Sequence, residues 1–252
     1  TQDSLIKVTA YDNLRYLKAS SRYIWEKETL SQKLVEICKE YSLEMGEIVD
    51  TGLAITEAYE SKGILDMLMT AMLETNSKTG VLHNLFTDGE GRICLKRTED
   101  MKITDPIIGD NSLMYGYSFS ESIDENTYTA ITVPQKDEEE STTKLGFAVD
   151  ESLVDKYGML TMVKQADSGT ATPQEWADAL LANRKYPTLS LSQQSLGRLN
   201  VRAGVMLPVI VNDVGINNVY FIVDECTHTF ERGVHTMQTK KYIPQAAYPA
   251  YR

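Results

Sequence analysis

The C-terminal part of the chain alternates between apolar and polar residues in several short runs. Turn residues separate them, with Asn217-Asn218 before the third run and Glu231-Arg232-Gly233 before the last. Such runs without a helical period are typical of an antiparallel sheet or small barrel. We therefore predict a β-meander from Pro187 to Tyr242. Its strand-forming runs are 188–192, 205–211, 219–230 and 234–242.

A helical period replaces this alternation in the first half of the chain. Thr29 is followed three residues later by Gln32, which is the pattern of a capping box at a helix start. A second helix is predicted over 61–73, and its Met-rich stripe fits a packed core better than an adaptable binding groove. The two stripes are Leu30, Leu34, Ile37, Cys38, Tyr41 and Ile64, Leu65, Leu68, Met69, Met72.

Short strands complete the N-terminal half. Residues 81–86 and 92–96 predict a hairpin that turns at Asp88-Gly89-Glu90-Gly91. A short strand is also predicted at 23–26. With the two helices, these strands predict a compact α+β unit over residues 21–105.

The segment before residue 21 predicts one strand at 5–10 and a short helix that opens at Tyr11-Asp12-Asn13. No partner strand is visible next to it, and the chain starts at Thr1 without an initiator Met. We interpret residues 1–20 as the last part of a sheet whose earlier strands are missing from this chain.

Asp105-Pro106 and Gly109-Asp110 interrupt the pattern, so a domain boundary is predicted near 105. Strands are predicted at 115–119, 126–133 and 145–149. The charged run at 135–143 is interpreted as a solvated loop rather than a cation site, because nothing holds its carboxylates in a coordination geometry. Thr172-Pro173-Gln174-Glu175 starts a helix with an apolar face at Trp176, Ala177, Leu180 and Leu181.

Composition and charge argue against several classes of function. The chain has 252 residues, 42% of them hydrophobic, and a net charge of −11. An acidic chain of this kind does not form a general phosphate-binding surface, which argues against specific nucleic-acid binding. No apolar run approaches the about 20 residues of a membrane span. The three cysteines, Cys38, Cys94 and Cys226, have no metal-ligand spacing and predict buried thiols.

Candidate chemistry is sparse. If Arg232-Gly233 is a two-residue turn, His228, Phe230, His235 and Met237 share one face of a hairpin, which predicts structural histidines rather than a metal site. His83 lies elsewhere, and carboxylate pairs such as Asp124/Glu125 are expected by chance in an acidic chain. No nucleophile elbow, P-loop or dinucleotide fingerprint is present. We predict no enzyme, with no catalytic, cofactor-binding or metal-binding residue.

Four stretches together carry a family resemblance over nearly the whole chain. They are Val8-Thr9-Ala10-Tyr11-Asp12-Asn13-Leu14-Arg15-Tyr16-Leu17; the Thr29 helix with Leu34-Val35-Glu36-Ile37; Leu199-Asn200-Val201-Arg202-Ala203-Gly204; and Thr227-His228-Thr229-Phe230 with Val234-His235-Thr236-Met237. In order and spacing, the chain resembles late-control D-type baseplate hub proteins of contractile phages and phage-tail-like bacteriocins, in the form found in Gram-positive prophages.

The resemblance implies an α+β fold with a tube-type antiparallel β-barrel and a small α+β domain. The expected domains are a remnant of a first barrel at 1–20, the small domain at 21–105, a tube-like barrel domain at 106–243 and a tail at 244–252. In particular, the strands at 115–149 are expected to join the C-terminal meander in that barrel.

The implied role is structural. Hubs of this family join the tail tube to the central spike, so the expected partners are further copies of the chain in a trimeric ring, the tail tube protein, the spike and other baseplate proteins. The expected location is the baseplate of the particle, after synthesis in the bacterial cytoplasm. An acidic lumen would suit a DNA conduit, because like charge prevents sticking. The alternatives are a tail-associated peptidoglycan hydrolase and a cell-wall carbohydrate-binding module.

Overall fold

The computed structural model describes residues 7–110, 112–124, 126–136, 143–165, 172–182 and 184–243. The chain divides into two compact units, Thr1–Lys102 and Ile103–Arg252. Each unit has its own strands, helices and hydrophobic core, and the two are described separately below.

The first unit combines two helices with two small sheets. β1 and β3 form an antiparallel ribbon, and β5 lies between β2, its parallel neighbour, and β4, its antiparallel neighbour. Two 3-10 helices, Asn13–Lys18 and Thr98–Met101, flank these elements. The elements are β1 (Ser20–Thr29), α1 (Leu30–Glu40), β2 (Met45–Ile48), β3 (Ala54–Gly63), α2 (Ile64–Thr79), β4 (His83–Thr87) and β5 (Ile93–Arg97).

The predicted helix start at Thr29 is confirmed. The Gln32 backbone N–H donates to Thr29 Oγ1 at 3.2 Å, and the Thr29 backbone N–H donates to Gln32 Oε1 at 2.9 Å. These two bonds satisfy two backbone donors at the helix start. Leu34, Ile37 and Cys38 are fully buried in the core of the unit, as the stripe predicts.

The buried stripe of α2 differs from the predicted one. Met67 and Ala71 are fully buried, whereas Met69 is 39% exposed. The helix begins at Ile64 rather than at Ser61, because 54–63 extend as β3, a strand that the sequence pattern did not predict. Counted from Ile64, the buried positions follow the i, i+3, i+4, i+7 spacing of one helix face.

The second unit is mostly β-structure. A further 3-10 helix, Asn212–Val214, joins β12 to β13. The elements are β6 (Ile108–Gly109), β7 (Met114–Ser122), β8 (Ala130–Lys136), β9 (Thr143–Val149), α3 (Glu151–Tyr157), β10 (Thr161–Val163), α4 (Pro173–Ala182), β11 (Thr188–Leu196), β12 (Met206–Val211), β13 (Ile216–Glu231) and β14 (Val234–Tyr242).

The predicted meander forms most of a six-stranded sheet in the order β6-β12-β13-β14-β11-β7. The predicted hairpin register is confirmed: Glu231 faces Val234, Phe230 faces His235 and His228 faces Met237. The turn predicted at Asn217-Asn218 is wrong, because both residues lie within β13. The chain reverses instead at Asn212–Val214, and Gly215 takes the positive φ of 74° that ends this turn.

Two of the strands expected in this sheet belong elsewhere. β8 and β9 pair with each other and with β10 in a separate three-stranded sheet, so only β7 from the 115–149 region joins the meander. The reason is packing, since β8 and β9 bury Ile131, Val133 and Ala148 against the apolar face of α4. The helix start at Thr172 is confirmed, and its apolar face covers this small sheet.

Near the N-terminus, the prediction of a strand at 5–10 is wrong for 7–10, which belong to no strand. Leu5 and Ile6 lie outside the described residues. The short helix is confirmed as the 3-10 helix Asn13–Lys18, with Leu17 fully buried. Most of the acidic run, 137–142, and Glu125 also lie outside the described residues.

Candidate assembly surface and buried polar groups

One long strand of the six-stranded sheet has an open edge. β7 pairs with β11 from Ser122 to Met114, and no described strand pairs with its other side. The opposite end of the sheet is capped by β6, which has only two residues. An open edge strand presents backbone donors and acceptors that can pair with a strand of another chain. We call the side of residues 114–118 that faces away from β11 the β7 edge.

Two tyrosines of β7 are exposed to solvent. Tyr115 is 61% exposed and Tyr117 is 37% exposed. The Tyr117 hydroxyl donates to Asp213 Oδ2 at 3.3 Å. Partial loss of water contact and the carboxylates of Asp213 and Asp110 raise the pKa of Tyr117. Exposed tyrosines beside an open edge are suited to a protein interface, because they bring a large apolar area together with a polar group.

The two histidines of the hairpin form one hydrogen-bonded pair. His228 Nε2 lies 2.8 Å from the Val201 carbonyl oxygen, so this nitrogen must donate. His228 Nδ1 therefore accepts from His235 Nε2 at 2.9 Å. Cys226 Sγ lies 3.2 Å from His228 Nε2. In this arrangement His228 uses both ring nitrogens within the protein, which leaves it no lone pair for a metal ion.

The loop 197–205 closes over this pair. A Cβ added at Gly197 would lie 2.1 Å from the His235 ring, so only glycine permits this approach. The face that the sequence predicts as core is buried only in part. Met237 is 2% exposed, whereas Phe230 stacks on His235 at 4.1 Å between ring centroids and is 66% exposed. The hairpin tip extends beyond the region that the loop covers.

We expect His228→Ala to lower the free energy of unfolding by about 1–3 kcal/mol, because Val201 O and His235 Nε2 lose their partner. Zinc should not change the thermal midpoint of either protein. Urea unfolding and thermal melts with and without zinc measure both effects, with Thr229→Ala on the opposite face as the control. A zinc-dependent rise in the midpoint that disappears in His235→Ala would show that the pair binds metal.

A lysine is buried inside the same unit. Lys241 on β14 is 1% exposed, and its Nζ donates to Gln193 Oε1 and Thr239 Oγ1. No carboxylate of a described residue forms an ion pair with it, and burial lowers its pKa to about 7. Sequence reasoning missed this residue. The alternation Met237, Thr239, Lys241 along β14 was the available signal, because it assigns all three to the inner face.

These groups do not assemble into a recognisable catalytic or metal centre. No cluster of three or more His, Cys, Asp or Glu side chains among the described residues could hold a metal ion. Cys38 and Cys94 are buried and Cys226 is half-buried, all as free thiols. His83 is buried, and its ring Nδ1 lies at the hydrogen-bond distance of 2.9 Å from Asn76 Oδ1. The expectation that the chain is not an enzyme stays a prediction.

Comparison with known proteins supplies the family. A family model described as YQBQ-like matches residues 1–240. A search of curated proteins finds no match. Within the part of the chain that the structure describes, no helix is long and apolar enough to span a bilayer.

Solved structures share the fold. The 43 kDa tail protein of prophage MuSo2 from Shewanella oneidensis has a TM-score of 0.65 and 12% identity, over 94% of this chain and 73% of that chain. The tail protein from Neisseria meningitidis MC58 has a TM-score of 0.60 and 10% identity, over 89% and 69%. Prophage tail protein gp18 from Listeria monocytogenes EGD-e has a TM-score of 0.51 and 13% identity, over 93% and 69%. At these identities the likeness shows a common fold.

Proposed function

The chain belongs to the YQBQ-like family, and on this premise we propose that it is a structural component of a phage tail or phage-tail-like particle. The observation that carries the proposal is the fold that it shares, over 94% of its length, with a prophage tail protein. Two further prophage and bacterial tail proteins with the same fold support it. A role in assembly needs no catalytic centre.

Within the particle, we assign the chain to the baseplate hub, where copies of it form a trimeric ring that joins the tail tube to the spike. The β7 edge supports this role, because a ring needs a contact that passes from each copy to the next. Strand addition at an open edge provides such a contact through main-chain hydrogen bonds. The neighbour then supplies the strand that would extend the open six-stranded sheet toward a tube-like barrel. The particle can be a phage or a bacteriocin.

Proline substitutions in β7 test this role. Backbone N–H groups alternate between β11 and the free side along an edge strand. Of the consecutive variants Tyr117→Pro and Ser118→Pro, one therefore removes a bond to β11 and the other removes a donor from the β7 edge. We expect the variant that loses a bond to β11 to have a lower melting temperature. We expect the variant that loses the outward donor to melt nearly normally and yet fail to enter particles.

Tyr117→Ala and Ser118→Ala are the matched controls, because they remove the same side chains and keep the backbone N–H. Thermal melting of each purified chain and recovery of sedimenting particles measure the two effects separately. If every proline variant that folds also assembles into particles at normal yield, the β7 edge is not the contact between copies. If the unaltered chain is absent from the particles, the structural role itself is wrong.

A further inference from the structure

The end of the β13–β14 hairpin and the loop beside it form one exposed surface. The Gly197 backbone N–H donates to the His235 carbonyl oxygen at 2.7 Å. This bond and the one between the histidine pair and the loop hold the loop against the hairpin. We call the surface made of residues 196–202 and 229–235 the basic tip.

The basic tip combines exposed apolar side chains with arginines. Four of its apolar side chains are between 48% and 79% exposed, namely Leu196, Leu199, Phe230 and Val234. Its charged residues are three arginines and one glutamate, namely Arg198, Arg202, Arg232 and Glu231. With histidine neutral its net charge is therefore +2, whereas the whole chain has a net charge of −11. Apolar area next to exposed arginine is typical of a protein interface.

A surface of opposite charge lies next to Tyr117 of β7. Asp110 and Asp213 are both exposed, and the Tyr117 hydroxyl donates to Asp213. The Asn212 backbone N–H donates to Asp110 Oδ2 at 2.7 Å. Among the residues that the structure describes, no cationic side chain forms an ion pair with either carboxylate. We call these two aspartates, together with Tyr115 and Tyr117, the acidic corner.

We propose that the basic tip of one copy docks on the acidic corner of the next copy in the ring. The inference rests on the proposed function and adds a second contact to the one at the β7 edge. The surfaces are complementary, because the arginines meet carboxylates and the apolar side chains meet two tyrosines. They are also different surfaces, so the contact passes from each copy to the next, as a closed ring requires.

The basic tip fits an acidic protein surface better than a nucleic acid or an anionic membrane. The Glu231 side chain is 74% exposed and lies 3.9 Å from Arg232. A surface of phosphates repels this carboxylate, whereas a protein surface can hold groups of both signs together with apolar area. The loop and the hairpin are held together before any contact forms, which lowers the entropy cost of docking.

Charge reversal tests the contact. Arg198→Glu together with Arg232→Glu makes the tip acidic, so that like charges meet. We expect this double variant to enter particles at least about tenfold less than the unaltered chain. Addition of Asp110→Lys and Asp213→Lys to the same chain reverses both surfaces and should restore much of the loss. If this fourfold variant folds and is still excluded, the arginines meet another surface and the inference is wrong.

The matched control is Lys144→Glu together with Lys156→Glu. It changes the charge by the same amount at two exposed residues of the same unit. We expect it to enter particles normally, which separates a local contact from an effect of net charge. Thermal melting of each purified variant confirms that it folds. Equal exclusion of the control and of the tip variant would overturn the inference.

Disulfide formation shows which chains meet. In a Cys226→Ser background, Arg232→Cys with Asp213→Cys places one thiol on each surface, and Arg198→Cys with Asp213→Cys is a second pair. We expect oxidised particles to give bands of two and three linked chains on a non-reducing gel, and the single-cysteine variants to give none. A bond within one chain, a bond to a different protein, or no bond from either pair would overturn the inference.

Failure of the contact and failure of the proposed function give different results. Absence of the unaltered chain from particles would overturn the proposed function, and the contact with it. Normal entry of the Arg198→Glu/Arg232→Glu variant would overturn the contact alone. If that variant entered particles normally but lost binding of the free chain to DNA or to phosphatidylglycerol vesicles, the basic tip would serve a polyanion or a membrane instead.

Discussion

Replacement of Lys241 by methionine should stabilise the protein at pH 6 and destabilise it at pH 9.5. Lys241 is 1% exposed and has no carboxylate of a described residue as an ion-pair partner, so its charged form is costly in the folded state. Methionine has a similar length and no charge. The substitution therefore removes the cost of burying an ammonium group and keeps most of the packing.

The pH dependence has a definite sign. Burial lowers the pKa of Lys241 from its ordinary value of 10.5 to about 7. Between these two values the unfolded chain binds more protons than the folded one, so stability increases as the pH rises. Below pH 7 both states are protonated and the full cost is present, about 5 kcal/mol at most. Near pH 10 the amine is neutral in the folded state and the cost is nearly gone.

A second effect of the substitution does not depend on charge. Methionine leaves Gln193 Oε1 and Thr239 Oγ1 without the donor, which costs about 1–3 kcal/mol at any pH. We therefore expect a net gain of about 2–3 kcal/mol at pH 6 and a net loss of about 1 kcal/mol at pH 9.5, where part of the burial cost remains. Urea unfolding of both proteins is measured from pH 6 to pH 9.5. The difference between their free energies of unfolding isolates Lys241, because the other titrating groups are the same in both proteins. If this difference did not change with pH, the pKa of Lys241 would be the same in the folded and unfolded states, which would contradict the prediction.

Gly146→Ala should lower the free energy of unfolding by about 3 kcal/mol or more. A Cβ at this position would lie 2.0 Å from the Pro173 carbonyl oxygen and 2.6 Å from the Gln174 backbone nitrogen. Both are backbone atoms, so no side chain can rotate to make room. The start of α4 must then move away from β9, and Gln174 must loosen its two bonds to the Phe147 backbone, now 3.1 and 2.9 Å long.

Gly116→Ala is the matched control in β7. Its added Cβ would lie 3.5 Å from Gln194 Oε1, an ordinary contact, so the change should stay within about 0.5 kcal/mol. Urea unfolding measures both variants, and a fluorescence change at Trp176 on α4 would report the local displacement. Equal stability of Gly146→Ala and Gly116→Ala would show that α4 does not pack against β9 as closely as described.

Local patterns were sufficient wherever neighbouring residues determine the structure. The capping box at Thr29 and the one at Thr172 depend on residues three positions apart, and both form. The hairpin register at Arg232-Gly233 follows from the turn and the period of two, so the facing pairs could be stated before the fold was known. The same register places His228 and His235 side by side.

Patterns were insufficient where the partner of a segment lies far away along the chain. The strand β3 has little alternation of its own and is held as a strand by β1. The β8–β9 hairpin has an apolar face that could pack on the meander or on a helix, and α4 was the partner. The β7 edge is also a tertiary property, because a strand is an edge only by its position in the sheet.

The sequence by itself determined the β13–β14 hairpin and the helix starts at Thr29 and Thr172, because each depends on residues that are adjacent or regularly spaced. Only the tertiary structure decided which strands share a sheet, which edge stays open and that Lys241 lies in a closed interior. These depend on which distant surfaces exclude water from one another. Burial of the six-stranded sheet on one side leaves its other face hydrated.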